Sequence, residues 1–136
     1  MLDLTPLRDT IASLERAITV GKEIHHTNSS VQEVVQAGII KNFEIVYDMC
    51  RKFMQRWLRV NQANDVDHMR TRKDLFRLAA KHQLIRDPQA WFLYGEARSL
   101  TTHTYQKAQA AKIYQLAPQF LPDAQFLLYQ IECMND

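Results

Sequence analysis

Glycine and proline are scarce in this chain, at 3 and 4 among 136 residues. A fold of many short strands needs a turn every few residues, so the shortage argues against one and for long helices. Cysteine is scarce as well: Cys50 and Cys133 are the only two, far apart and each in an apolar, helix-like context. A small disulfide-stapled scaffold would carry more, so both are expected to be buried thiols in a reducing cytoplasm. No apolar run reaches the roughly 18 residues that a membrane helix needs. The start, MLDLTPLRDT, lacks the basic and apolar stretches of a secretion signal. An excess of one charge is missing too, since 17 basic and 15 acidic side chains give a net +2. That balance implies no broad polycationic surface, so any contact with RNA is expected to be local. The expectation is a cytoplasmic protein without a membrane segment.

What the chain does have is helical periodicity. Leu7, Ile11, Leu14 and Ile18 recur at spacings of three and four behind Thr5-Pro6, a hydroxyl cap followed by a first-turn proline. Thr27-Asn28-Ser29-Ser30 is a polar break, and Ser30 with Glu33 has the spacing of a capping box. The second helix then runs to about Val60, with Val31, Val34, Val35, Ile39, Phe43, Val46, Cys50, Phe53, Met54 and Trp57 on its apolar face. A loop follows, and then a third helix from about Thr71 to Leu84 with Leu75, Phe76, Leu78 and Ala79 inward. Asp87-Pro88 opens a fourth through Trp91, Leu93 and Tyr94. A last helical region from Lys107 to Cys133 is expected to break near Pro118 and again at Pro122. These five helical segments predict an all-α, antiparallel up-and-down bundle of four-helix-bundle type, a single domain over residues 1–136.

One stretch carries chemistry. In "RSLTTHTY", Arg98 and His103 are separated by four residues and followed by Tyr105, an R-x4-H-x-Y pattern. Spacing alone proves little. With ten arginines and five histidines in the chain, roughly 0.4 chance matches are expected, and Arg77–His82 supplies one. The expected difference is context. Arg77 and His82 are read as lying in mid-helix, about 140° apart around the axis. Arg98 stands where Thr101, Thr102 and Thr104 favour leaving the helix, so a histidine just beyond can fold back. Such a pair suffices for metal-free phosphodiester cleavage: the imidazole moves the ribose hydroxyl's proton, and the guanidinium holds the phosphate. Tyr105 adds a phenol that can accept a nucleotide. The plainer alternative is that both side chains only cap helix ends.

The pattern resembles the signature of the HEPN superfamily, and more closely that of HepT-like proteins, the nucleotidyltransferase substrate-binding proteins. "AGIIKNFEIVYDMCRKFMQRWL" is similar to that family's second helix, with Phe43, Glu44 and Tyr47 as its phenylalanine, glutamate and tyrosine. "DLFRLAAKHQLI" and Trp91 resemble its third helix and tryptophan, and "AAKIYQLAPQFLP" its closing helix. The resemblance implies a homodimer with its motifs paired near the two-fold axis and a separately encoded minimal nucleotidyltransferase as partner. It also implies a candidate ribonuclease acting on RNA through Arg98 and His103, silenced when the transferase attaches adenylate to Tyr105. An older reading makes the chain the substrate-binding half of a split enzyme. After the arginine stands Ser99, where the family often has asparagine; Ser99, Thr102, Glu44 and Tyr47 are the expected supporting cleft.

The residues point to a partner independently. Transferring a nucleotide takes a Gly-Ser loop for phosphates and paired aspartates for Mg²⁺. None of Gly21, Gly38 and Gly95 precedes a serine, and Asp65-x-Asp67 sits in a polar loop, read as solvated. His25-His26 point about 100° apart on a helix and are read as surface residues, not metal ligands. No metal or cofactor is called for. Glu44 and Tyr47, at i and i+3, share a helix face. Trp57, Trp91, Phe53 and Phe92 are expected in the core.

Overall fold

A computed structural model describes residues 2–24, 28–62, 64 and 69–134. His25, His26, Asp65 and Asp67 lie outside the described residues. Five α-helices carry the chain: α1 Thr5–Glu23, α2 Ser29–Asn61, α3 Arg72–Lys81, α4 Pro88–Ser99 and α5 Lys107–Met134. A 3-10 turn, Leu100–His103, joins α4 to α5. There is no strand among the described residues.

Pairings between helices fix the topology. Arg8 and Glu132 meet at 3.2 Å, so the start of α1 lies by the end of α5. Ser13 donates to Asn42 across α1 and α2, and Tyr94 on α4 donates to the Gln119 carbonyl on α5. Together these make α1, α2, α4 and α5 an up-down-up-down bundle, the predicted architecture, with α3 riding on α2 and α4. The core centres on aromatic rings. Phe120 stands edge-on to Phe43, Tyr94 and Trp91 at 5.0, 4.9 and 5.6 Å. Burying rings in such T-shaped contacts adds roughly 0.5–1.5 kcal/mol per pair beyond area burial. Of the four aromatic residues expected in the core, Trp57, Trp91 and Phe53 are buried and Phe92 is half-buried.

Helix ends differ from expectation in instructive ways. α1 begins without a side-chain cap on Leu4, and the Thr5 N–H is served by Asp3. α2 is capped by Asn28, which accepts from the Val31 N–H at 3.0 Å, rather than by Ser30 with Glu33. Starting there, the 33-residue helix outruns the bundle, and Val31 and Val34 at its head are exposed. Thr71, expected as the first residue of the third helix, is the cap of α3, and Asp87 caps α4 as Asp87-Pro88 suggested. α3 stops at Lys81, short of Leu84, because Gln83 adopts a left-handed conformation, φ 66°. His82 is therefore the C-cap residue, not a mid-helix position. α5 is unbroken despite Pro118 and Pro122. Both prolines are exposed on one flank, the solvent-facing side on which a helix tolerates a missing backbone hydrogen bond best. Ile113, Ala117, Phe120, Ala124, Leu127 and Ile131 stay buried in register. Cys50 is buried, which pushes its thiol pKa up, whereas Cys133 is exposed, against expectation, because α5 outlasts the core there.

Candidate functional site

The junction between α4 and α5 is built by hydroxyl groups. Ser99 Oγ donates to the Gly95 carbonyl, Thr101 Oγ1 to that of Arg98 and Thr102 Oγ1 to that of Ser99. These back-bonds compete with the helix ladder. The chain tightens into the 3-10 turn, which buries no residue, and α5 restarts at Lys107.

Arg98 leaves the last turn of α4 and reaches across to α2. Its Nε and Nη2 donate to the two carboxylate oxygens of Asp48, both at 3.0 Å, a bidentate pair. Nη1 donates to Thr101 Oγ1 at 2.8 Å, and Nη2 lies 3.5 Å from Glu44 Oε1. The hydrogen bonds it donates to Asp48 raise the guanidinium's pKa further. One cation thus faces two carboxylates. The head group is only partly buried, so the pair orients the side chain more than it stabilises the fold. Asp48 was not singled out from the sequence. Its position four residues after Glu44, on the same helix face, is the signal that could have found it.

His103 ends the 3-10 turn, exposed, with its ring edge-on to Tyr105 at 6.1 Å. Tyr105 is 77% exposed. It helps to line a groove of about 630 Å³ between the first half of α2 and the start of α5, together with Glu33, Ile40, Glu44, Thr104 and Lys107. Arg98 and His103 share no hydrogen bond within the chain: the arginine leans on α2 while the histidine stands at the rim with Tyr105.

The expected cleft is only partly assembled. Glu44 does line it and pairs with Lys41 as well as Arg98. Ser99 turns toward α3, where it accepts from Arg72 at 3.4 Å, and Thr102 is exposed. Tyr47 does not share Glu44's surroundings. It is fully buried among Phe43, Phe76 and Trp91, because the core's aromatic cluster claims that side of α2. By hydrogen-bond geometry its hydroxyl finds no partner among the described residues, and burial raises its pKa. No group of three or more His, Cys, Asp or Glu that could hold a metal occurs among the described residues, and no described helix is long and apolar enough to cross a membrane.

A helical bundle that presents R-x4-H-x-Y at the mouth of a groove is the class of protein its motif resembled. The family described as nucleotidyltransferase substrate binding protein like matches residues 2–133, and the chain belongs to that family. It is 36% identical over 108 residues to a Haemophilus influenzae protein named probable ribonuclease HepT, covering 79% of this chain and 74% of that one. A solved Haemophilus influenzae structure, described as revealing the fold of a substrate binding domain of a nucleotidyltransferase, superposes with a TM-score of 0.86. That pair is 33% identical over 96% of this chain and 99% of the other. A Thermus thermophilus structure shares the fold at a TM-score of 0.66 and 24% identity, covering 87% and 98% of the two chains. Membership gives the chain a HepT-like, nucleotidyltransferase-associated role.

Proposed function

We propose that this chain is the HEPN-type partner of a separately encoded minimal nucleotidyltransferase, working as a homodimer in the cytoplasm as half of a toxin–antitoxin pair, and that Tyr105 is the residue the transferase adenylylates. The observation that carries the reading is the Tyr105 phenol, exposed at the groove mouth beside His103. In the reaction the Tyr105 oxygen attacks the α-phosphorus of ATP. The new O–P bond replaces the bond to pyrophosphate, which leaves, and the phenolic proton passes to a base or to water. The Mg²⁺ and the ATP site belong to the partner. Intact mass after incubation with the neighbouring transferase, ATP and Mg²⁺ tests this. One or more adenylates on the wild type and none on Tyr105→Phe is the expected result. A stable complex without any mass change would replace it with the split-enzyme, substrate-binding reading.

A second reading has its own support. Arg98 is held by Asp48 and Thr101 with its head group still reachable, and His103 is free at the rim. On this reading the homodimer is a metal-independent RNA endonuclease. His103 exchanges protons with the ribose 2′-hydroxyl and the leaving oxygen, and Arg98 stabilises the phosphate's developing charge. Adenylate on Tyr105, next to that histidine, would then block the strand.

A further inference from the structure

The chain's charge is balanced as a whole but not along its length. Residues 70–86 hold six arginines and lysines against one acidic residue, Asp74, while the remainder of the chain holds more acids than bases. α3 sets three of these cations in a row. Lys73, Arg77 and Lys81 follow one another at i, i+4 and i+8, about 6 Å apart along one flank, and all three are exposed. Lys73 and Lys81 form no ion pair among the described residues, and Arg77 reaches Asp74 only at 4.0 Å. The Lys73 ammonium and the Arg77 guanidinium each stand 5.5 Å from the centre of the half-buried Phe92 ring, which backs the row. At the head of the same helix, Arg72 donates to the Gly95 carbonyl at 3.0 Å and to Ser99, the residue after Arg98.

We infer that the exposed flank of α3 is a binding track for the phosphate backbone of RNA, leading to the α4–α5 junction. The local charge around Arg98 calls for such a track. Arg98 and Lys41 are matched there by Asp48 and Glu44, so these four side chains add no net attraction for a polyanion. The row also suits a nucleic acid better than a protein surface. No exposed large hydrophobic side chain lies on α3 to anchor a protein interface, whereas backbone binding to a single strand needs only uncompensated cations. The track goes beyond the modification of Tyr105 and does not depend on it; it borrows from the endonuclease reading only the nature of the strand.

Fluorescence anisotropy of a labelled single-stranded RNA decides the matter, measured on the His103→Ala background so that the strand stays whole. The triple variant Lys73→Glu/Arg77→Glu/Lys81→Glu is compared with Arg16→Glu/Lys22→Glu/Lys112→Glu, an equal change of net charge at exposed sites elsewhere. Circular dichroism confirms that both are folded. The α3 variant is expected to bind at least tenfold more weakly, with the slope of log K against log salt reduced by about 2, three phosphate contacts at 0.7 each. The control is expected to lose less than threefold. Equal losses in both variants, unchanged binding in the α3 variant, or no binding by the parent at about 50 mM salt would overturn the track. So would an α3 variant that keeps its RNA but no longer pairs with the neighbouring transferase. Tight RNA binding without cleavage in the wild type would leave the track standing and remove only the endonuclease reading.

Discussion

Arg77 and Arg98 each precede a histidine by five positions, and each stands near the end of a helix. After Arg77 the helix stops on a left-handed Gln83, and the chain dives to the buried Leu84 and Ile85. His82 is drawn in, its ring beside Trp57 at 6.4 Å, and Arg77 lies on Phe92. After Arg98 the hydroxyls of Thr101 and Thr102 turn the chain outward, and His103 and Tyr105 are presented to solvent. Identical spacing thus yields packing in one place and an exposed candidate site in the other. How the helix ends, rather than how far apart the residues stand, decides which.

The contrast is open to experiment. On the endonuclease reading, His103→Ala lowers RNA cleavage by about 10²–10⁴-fold with little change in melting temperature. His82→Ala, in contrast, leaves cleavage intact and costs about 1 kcal/mol of stability. Parallel cleavage and melting assays on both variants make the comparison, and similar cleavage losses would break it. A smaller effect separates the acids that face the two arginines. Asp48→Asn frees the Arg98 guanidinium and is expected to lower kcat about tenfold through misplacement. KM should hold or fall, since a repelling charge is gone. Asp74→Asn, beside Arg77, should leave kcat unchanged while KM holds or falls, and the kcat difference between the pair in steady-state kinetics would show whether Asp48 positions the arginine.

The smallest effect concerns the buried end of the molecule. Burial and the Asp123 carboxylate raise the Tyr94 pKa, and burial raises those of Tyr47 and Cys50. The unfolded chain ionises such groups near their ordinary values, about 8.5 for cysteine and 10 for tyrosine, while the folded chain keeps its protons. Their stabilisation is therefore complete below about pH 8 and is lost as the pH rises through and beyond these values. Urea midpoints measured from pH 8 to 10.5 should fall, and Tyr94→Phe should flatten the upper part of the curve.

Much of this was legible in the residues. The apolar period of α2 marked its buried face from Ile39 onward, Asp87-Pro88 marked the start of α4, and the threonines marked its end. Features that depend on three-dimensional neighbours were not. An acid such as Asp48 looks like any solvated helix position until Arg98 arrives from fifty residues away. Tyr47 resembled a partner for Glu44 because periodicity cannot weigh a polar tip against an aromatic cluster. The prolines of α5 suggested breaks, since whether a proline breaks a helix depends on which side faces water. The α3 cations vanished in the chain's net charge, a sum that erases position.

Gly95 carries one further consequence. A Cβ there would come within 2.8 Å of the Tyr47 hydroxyl and 2.9 Å of Arg72, so α2, α3 and α4 meet where a single side chain is missing. Three residues on, the same helix delivers Arg98. For a lineage under selection, position 95 works as a trimming screw. One added methyl would push the last turn of α4 off its neighbours and re-aim the arginine, altering the candidate site without replacing any of its own residues.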